Sequence, residues 1–239
     1  MNKKQQIIDK VISTEELDIY KILESKGHIY TFINPVSYLE AIKRKKLFSC
    51  FDGIFVDGSI LAIAIRILYR TKITRRSFDM TSLAPIIFRF AEQYKKNIYI
   101  IASQEDEIKK AVKIFKQQWP NLNIIGYRNG YFSSEDEINN EIRQLKNINP
   151  DFLIVGMGIV KQEQLLLKIK DAHIDCIGFT CGGFIHQTAN NNIEYYPKWI
   201  NKMNLRFIYR IYKEKHTRKR YMQAALLFPI YFIYERFFR

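Results

Sequence analysis

The chain has 239 residues, enough for one substantial core and cramped for two. A composition that is 47% hydrophobic and 26% charged excludes a disordered polymer, while a net charge of +14 calls for a polyanionic partner: nucleic acid, an anionic membrane or a phosphorylated substrate. Cys50, Cys176 and Cys181 are odd in number and lack C-x-x-C spacing, which excludes a disulfide framework or zinc site; the first twenty residues lack the apolar core of a secretory signal, so a cytoplasmic chain is expected.

Short apolar runs rich in β-branched and aromatic residues alternate with longer amphipathic ones. The patterning predicts strands at Phe51–Val56, Asn97–Ala102, Leu122–Gly126, Phe152–Val155 and Asp175–Phe179. Between them, apolar residues at three- and four-residue spacing predict helices over Ser59–Leu68, Ser82–Tyr94, Gln104–Gln118, Ser134–Asn147 and Gln162–Asp171. Such alternation is the mark of an α/β fold: a compact, Rossmann-like, largely parallel sheet flanked by helices. The catalytic unit is assigned to residues 1–192 and a C-terminal appendage to 193–239.

The appendage has a different character. Lys202, Arg206, Arg210, Lys213, Lys215, Arg218, Lys219 and Arg220 are opposed only by Glu214, and an apolar block, Ala224–Tyr234, follows. Eleven apolar residues are too few to cross a bilayer, which takes roughly 20 in a helix, and Pro229 is expected to kink them. The pattern predicts a segment lying in the membrane interface, with cations on headgroups and aromatic rings at the acyl boundary. Ordinary packing of the tail on the core is the other reading; nucleic-acid binding is set aside, because no helix-turn-helix, zinc-finger or RNP signature accompanies the charge.

Several chemistries lack their motif. There is no G-x-x-x-x-G-K-[ST] loop, no G-x-S-x-G elbow, no metal-ligand spacing among His28, His173, His186 and His216, and no Asp-x-Asp after a strand. Three spots at predicted strand ends remain, where open α/β sheets place ligands. Asp57-Gly58 offers either a rim carboxylate able to act as a base or a helix cap. Gly156-Met157-Gly158, leading into Lys161-Gln162-Glu163, offers backbone N–H groups at a helix start for a diphosphate, with the Gln162 amide free to meet a sugar or base. Gly182-Gly183 offers either a close ligand approach or a tight turn.

In this order the motifs TFINP (Thr31–Pro35), VDG (Val56–Gly58), RRSFD (Arg75–Asp79), WPNLNIIGYRNGYF (Trp119–Phe132), PDFLIVGMGIVKQE (Pro150–Glu163), the double glycine and YYPKWINKMNLRFIYR (Tyr195–Arg210) resemble the WecG/TagA/CpsF family of bacterial glycosyltransferases. The resemblance implies an inverting, metal-independent transfer, without cofactor, of a hexose-type sugar (N-acetylmannosamine-like or a related hexose) from a UDP-sugar to an undecaprenyl-diphosphate-linked glycan in capsule, O-antigen or teichoic-acid-type polysaccharide synthesis. It also implies peripheral attachment to the inner face of the plasma membrane, no nucleic-acid partner, and room for a homo-oligomer. Asp57 matches the family's base; Asn34, Arg75, Asp79, Gly158, Gln162, Gly182 and Gly183 match donor- or acceptor-binding positions; Arg210, with Arg218 and Arg220 beyond it, matches the appendage cations that meet the leaving group. Departures stand at Val160 (proline in the family), Ile185-His186 (Phe-Asp), Tyr195-Tyr196-Pro197 (Arg-Ala-Pro), Arg206-Phe207 (Glu-Trp) and Lys215 (proline), and they open the alternative of a non-catalytic module that binds nucleotide-sugar or lipid-linked glycan.

Overall fold

The computed structural model describes residues 7–191, 200, 206–213 and 217–238. The appendage boundary at 192/193, Tyr195-Tyr196-Pro197, Lys202, Glu214, Lys215 and His216 lie outside them.

The described chain runs α1 (Ile7–Glu15), α2 (Ile19–Glu24), β1 (Ile29–Ile33), α3 (Pro35–Lys43), α4 (Lys45–Ser49), β2 (Gly53–Val56), α5 (Ser59–Tyr69), α6 (Leu83–Gln93), β3 (Ile98–Ala102), α7 (Glu105–Gln118), β4 (Ile124–Arg128), α8 (Glu135–Ile148), β5 (Phe152–Gly156), α9 (Lys161–Asp171), β6 (Ile177–Thr180), α10 (Phe184–Asn191), α11 (Arg206–Lys213) and α12 (Arg218–Phe237). The six strands form one parallel sheet in the order β2-β1-β6-β5-β3-β4. The expected α/β class is observed, with one strand more than the patterning predicts. The additional strand is β1, an apolar run interrupted by Thr31. That threonine is fully buried, and its hydroxyl donates to Glu163 Oε1 at 3.0 Å and pairs with Thr180 Oγ1 at 2.9 Å, so the polar interruption is satisfied inside the sheet.

Side chains alternate between two cores, one on each sheet face. Tyr99 and Ile101 of β3 join Leu61, Leu166 and Phe228 on one face; Ile98 and Ile100 join Ile87, Phe115 and Phe184 on the other. The central strands β3, β5 and β6 are buried along their length, as parallel strands covered on both sides must be, whereas edge strand β4 alternates. The opposite edge, β2, is covered by α1, where Thr14 Oγ1 accepts the Ile54 N–H at 2.9 Å.

The tail packs on the core. α12 packs along α3 and meets the C-terminal end of α5, burying Ala224, Phe228, Phe232 and Glu235 at helical spacing. Phe228 and Phe232 meet Tyr38 edge-on at 5.5 and 5.3 Å, Phe232 also meets Tyr69 at 5.8 Å, and Glu235 pairs with Lys45 of α4. The helix continues through Pro229, with Phe228 and Phe232 packed on Tyr38 on either side of the proline. Its other face stays outside: Leu226, Ile230, Ile233 and Phe237 are exposed. Among the described residues no helix is long and apolar enough to cross a membrane.

Candidate active site

The loops after all six strands open into one cleft of about 1360 Å³, closed on one side by α11 and the first turns of α12. Asn34, Asp57, Arg75, Asp79, Gly158, Gln162, Gly182, Gly183, Arg210 and Arg220 all line it. Arg218 does not: its guanidinium donates to the carbonyls of Ile211 and Tyr212 at 2.9 and 3.2 Å, holding the C-terminal end of α11 rather than facing the cleft.

Asp57 emerges at the end of β2, where its N–H donates to Ile33 O at 2.7 Å, and Gly58 takes φ +105 to turn the chain into α5. α5 has no side-chain cap, so the structure does not use Asp57 as one. Its carboxylate looks into the cleft with a third of its side chain exposed, and Arg75 Nη2 stands 3.9 Å from Oδ1. Burial on the remaining sides raises the Asp57 pKa above its ordinary value; Asp79 adds to the rise, while Arg75, Arg210 and Arg206 oppose it. A carboxylate made more basic in this way suits proton abstraction near neutral pH.

Asp79 shapes that environment. Its Oδ2 accepts from Arg75 Nη2 at 2.6 Å, Ser77 Oγ at 2.6 Å and Arg206 Nη1 at 2.8 Å; its Oδ1 accepts from Thr81 N at 2.8 Å and Thr81 Oγ1 at 2.6 Å. Burial alone would raise this carboxyl, but Arg75, Arg206 and the two hydroxyls hold it below the ordinary range. Asp79 is thus a fixed anion that aims Arg75 and draws α11 onto the core. Arg206 of α11 completes the bond set by donating to Thr81 Oγ1 at 2.5 Å. In the sequence Arg206 is only a departure within a basic run; the partner that explains it, Asp79, lies 127 residues away.

The two glycine loops face each other. A methyl at Gly156 would stand 2.6 Å from Cys181 Sγ and 2.8 Å from Gly182 O, so only glycine lets β5 and the β6 loop approach this closely. Gly158 has open space but φ +80. The Gln162 amide, expected free, is engaged at both ends: Nε2 donates to Glu163 Oε1 at 2.8 Å and Oε1 accepts the Gly182 N–H at 3.2 Å. Gln162 therefore ties the two loops together from a buried position. Glu163 anchors it, also accepting from Val160 N at 2.6 Å, and its burial raises its pKa above the ordinary value. Asn34 Oδ1 caps α3 by accepting from Val36 and Ser37 N–H at 3.0 and 3.1 Å, which leaves its amide NH2 for a ligand.

Arg210 crosses from α11 to the double glycine, where a methyl at Gly183 would lie 3.7 Å from its Nη2. At the far end of the cleft, His186 Nδ1 pairs with Glu107 Oε1 at 2.6 Å and Ser103 Oγ donates to the same carboxylate, linking α10, α7 and the end of β3. Among the described residues no group of three His, Cys, Asp or Glu converges as a metal site.

The model of the glycosyl transferase WecG/TagA/CpsF family matches residues 8–239, nearly the whole chain. The chain belongs to this family of glycosyltransferases. One relative, a UDP-Gal:alpha-D-GlcNAc-diphosphoundecaprenol beta-1,4-galactosyltransferase of Shigella boydii, is 38% identical over 231 residues, 96% of each chain. Another, an N-acetylglucosaminyldiphosphoundecaprenol N-acetyl-beta-D-mannosaminyltransferase of Bacillus subtilis (strain 168), is 24% identical over 82% of this chain and 75% of its own length. These two relatives bear different sugars in their names, so the family fixes the class of transfer and not the hexose.

Proposed function

We propose that this glycosyltransferase moves a hexose from a UDP-sugar to a GlcNAc-diphosphopolyprenol acceptor with inversion, Asp57 serving as base. The observation that carries the proposal is a carboxylate of raised basicity at the end of β2, facing a cleft that also holds Arg75, Arg210 and Arg220. Asp57 takes the acceptor hydroxyl proton as that oxygen attacks the anomeric carbon from the side opposite UDP. The C–O bond to the diphosphate breaks, and its growing charge falls to Arg210 and Arg220, with no metal ion required of the protein. Gln162 and Glu163 hold the Gly158 and Gly182 loops in register for this step.

Of the two sugars named among the relatives, galactose is the donor we propose, because the galactosyl relative is the more similar and matches end to end. Galactose lies within the expected range of N-acetylmannosamine-like or related hexoses. The exposed apolar face of α12, preceded by the exposed cations Lys219 and Arg220, supports peripheral attachment to an anionic membrane.

The test is UDP release with UDP-galactose, UDP-N-acetylmannosamine and UDP-glucose, with a short-chain GlcNAc-diphosphopolyprenol, in EDTA. Acceptor-dependent release with UDP-galactose, lost in Asp57→Asn, is expected. Undiminished release by Asp57→Asn would refute the assigned base, and binding of UDP-sugars with no release on any acceptor would favour a non-catalytic module.

A further inference from the structure

We infer that the lipid-facing surface of this chain is built from two helices, α5 as well as α12, and that the acceptor's polyprenyl chain leaves the cleft along α5. The inference rests on the reading of a lipid-linked acceptor and extends it to residues outside the appendage. α5 buries Leu61, Ala62 and Ile65 in the core, yet turns a second apolar stripe outward: Ile60, Ile63 and Ile67 are 39%, 50% and 68% exposed. Their spacing of three and four residues places them on one side of the helix. A helix apolar on its outer side as well needs a second apolar partner.

Contacts at the C-terminal end of α5 join this stripe to α12. There, Tyr69 packs on Phe232 and Arg236 Nε donates to Leu68 O at 3.3 Å. At the N-terminal end of α5, Ile60 and Pro229 line the same cleft. The exposed Leu226, Ile230 and Ile233 of α12 supply the second apolar stripe of the inferred surface.

Charge identifies the occupant. From Ser59 to Phe78 there is no acidic residue, and Arg66, Arg70 and Lys72 are exposed, whereas Arg75 and Arg76 turn inward to Asp79 and Glu15. The single carboxylate of α12, Glu235, is buried against Lys45. An apolar surface bordered by cations, on a chain of net charge +14, fits an anionic leaflet; a second copy would meet it with the same sign. Asp57 precedes this helix by two residues, which sets the base at the edge where a diphosphate-linked sugar anchored in that leaflet arrives.

The experiment uses the full chain and vesicles of phosphatidylcholine and phosphatidylglycerol in equal parts. Ile63→Gln/Ile67→Gln, at exposed positions outside the cleft, is expected to weaken vesicle binding roughly tenfold or more. Turnover on a long-chain acceptor embedded in the vesicles should fall with it, while turnover on a short-chain soluble acceptor is unchanged. Wild-type vesicle affinity in this variant would overturn the inference; so would wild-type self-association that the variant abolishes, which would make the stripe an interface between copies. Leu226→Gln/Ile230→Gln is the companion: if it alone releases the protein, α12 docks and α5 does not. Vesicle binding is read without turnover, so loss of all transfer activity would count against the proposed reaction and not against this surface.

Discussion

Replacing Arg206 with methionine removes one of the two guanidinium groups that share Asp79 Oδ2, together with the bond to Thr81 Oγ1. Asp79 keeps Arg75, Ser77 and Thr81, so no carboxylate is orphaned, and the loss is that of the α11 contact. A hydrogen bond to a charged group contributes about 1.5–3 kcal/mol, which shifts the docking of α11 by roughly ten- to a hundredfold. Arg210 rides on the same helix, so kcat/KM is expected to fall along with docking. A second readout separates this from loss of structure. Asp57 works as a base only when ionised, its pKa is raised, and Arg206 is one of the cations restraining that rise. Without Arg206 the acid limb of the kcat/KM profile moves to higher pH. Arg206→Lys keeps the charge but not the planar fork; it should return the limb to its original place while restoring only part of the rate. The assay is the pH dependence of UDP release on a soluble acceptor, and a methionine variant with wild-type kcat/KM and an unmoved acid limb would refute the reasoning.

Asp57→Asn should lower turnover by about 10²–10⁴-fold while raising the melting temperature at neutral pH. The sign follows from the raised pKa: the ionised carboxylate costs the fold stability once pH climbs through it, so the difference should vanish in acid, as thermal unfolding across pH would reveal. Phe228→Ala empties the site between Tyr38 and Phe232 and should weaken α12 packing by about 3–5 kcal/mol; limited proteolysis should then clip the C-terminal segment first, and resistance equal to wild type would contradict the packing described. Gly156→Ala forces a methyl against Cys181 and Gly182, for an expected loss of about 1–3 kcal/mol in denaturant unfolding, whereas Gly158→Ala, with open space around it, bears only the strain of its positive φ.

The parts legible in the sequence are those whose environment is uniform. Asn97–Ala102 and Phe152–Val155 read as strands because central parallel strands are apolar on both faces. Leu122–Gly126 came out two residues early: Leu122 is buried from the turn before β4, and Arg128 ends the strand, its charge met by Glu137 and its face covered by Phe132. For the tail, composition supplied both halves of the answer without their geometry. Packing takes one side of α12 and leaves the other apolar. Asp57 was legible as a candidate from its place after a strand, but spacing left it open between a base and a helix cap, and only the resemblance singled out the base; the cleft side of β2 is set by the fold. Arg206 and Gln162 did not yield their roles, since each depends on a partner brought near only by the fold.

The position of β6 has a consequence for how the molecule comes into being. β1 and β2 pair with each other, and β5, β3 and β4 pair among themselves, yet among the described residues only β6 joins the two groups, through Ile29 opposite Gly178 and Phe152 opposite Ile177. Asp57 belongs to the first group and the Gly158 loop to the second. A nascent chain emerging from the ribosome can assemble either half early, but the halves stay unjoined until residues 177–180 are made, and such long-range closure is slow. The base and the diphosphate loop thus meet late in synthesis, just before the cationic helices that cover them, so the chain gains its reactive centre as nearly its last act of folding.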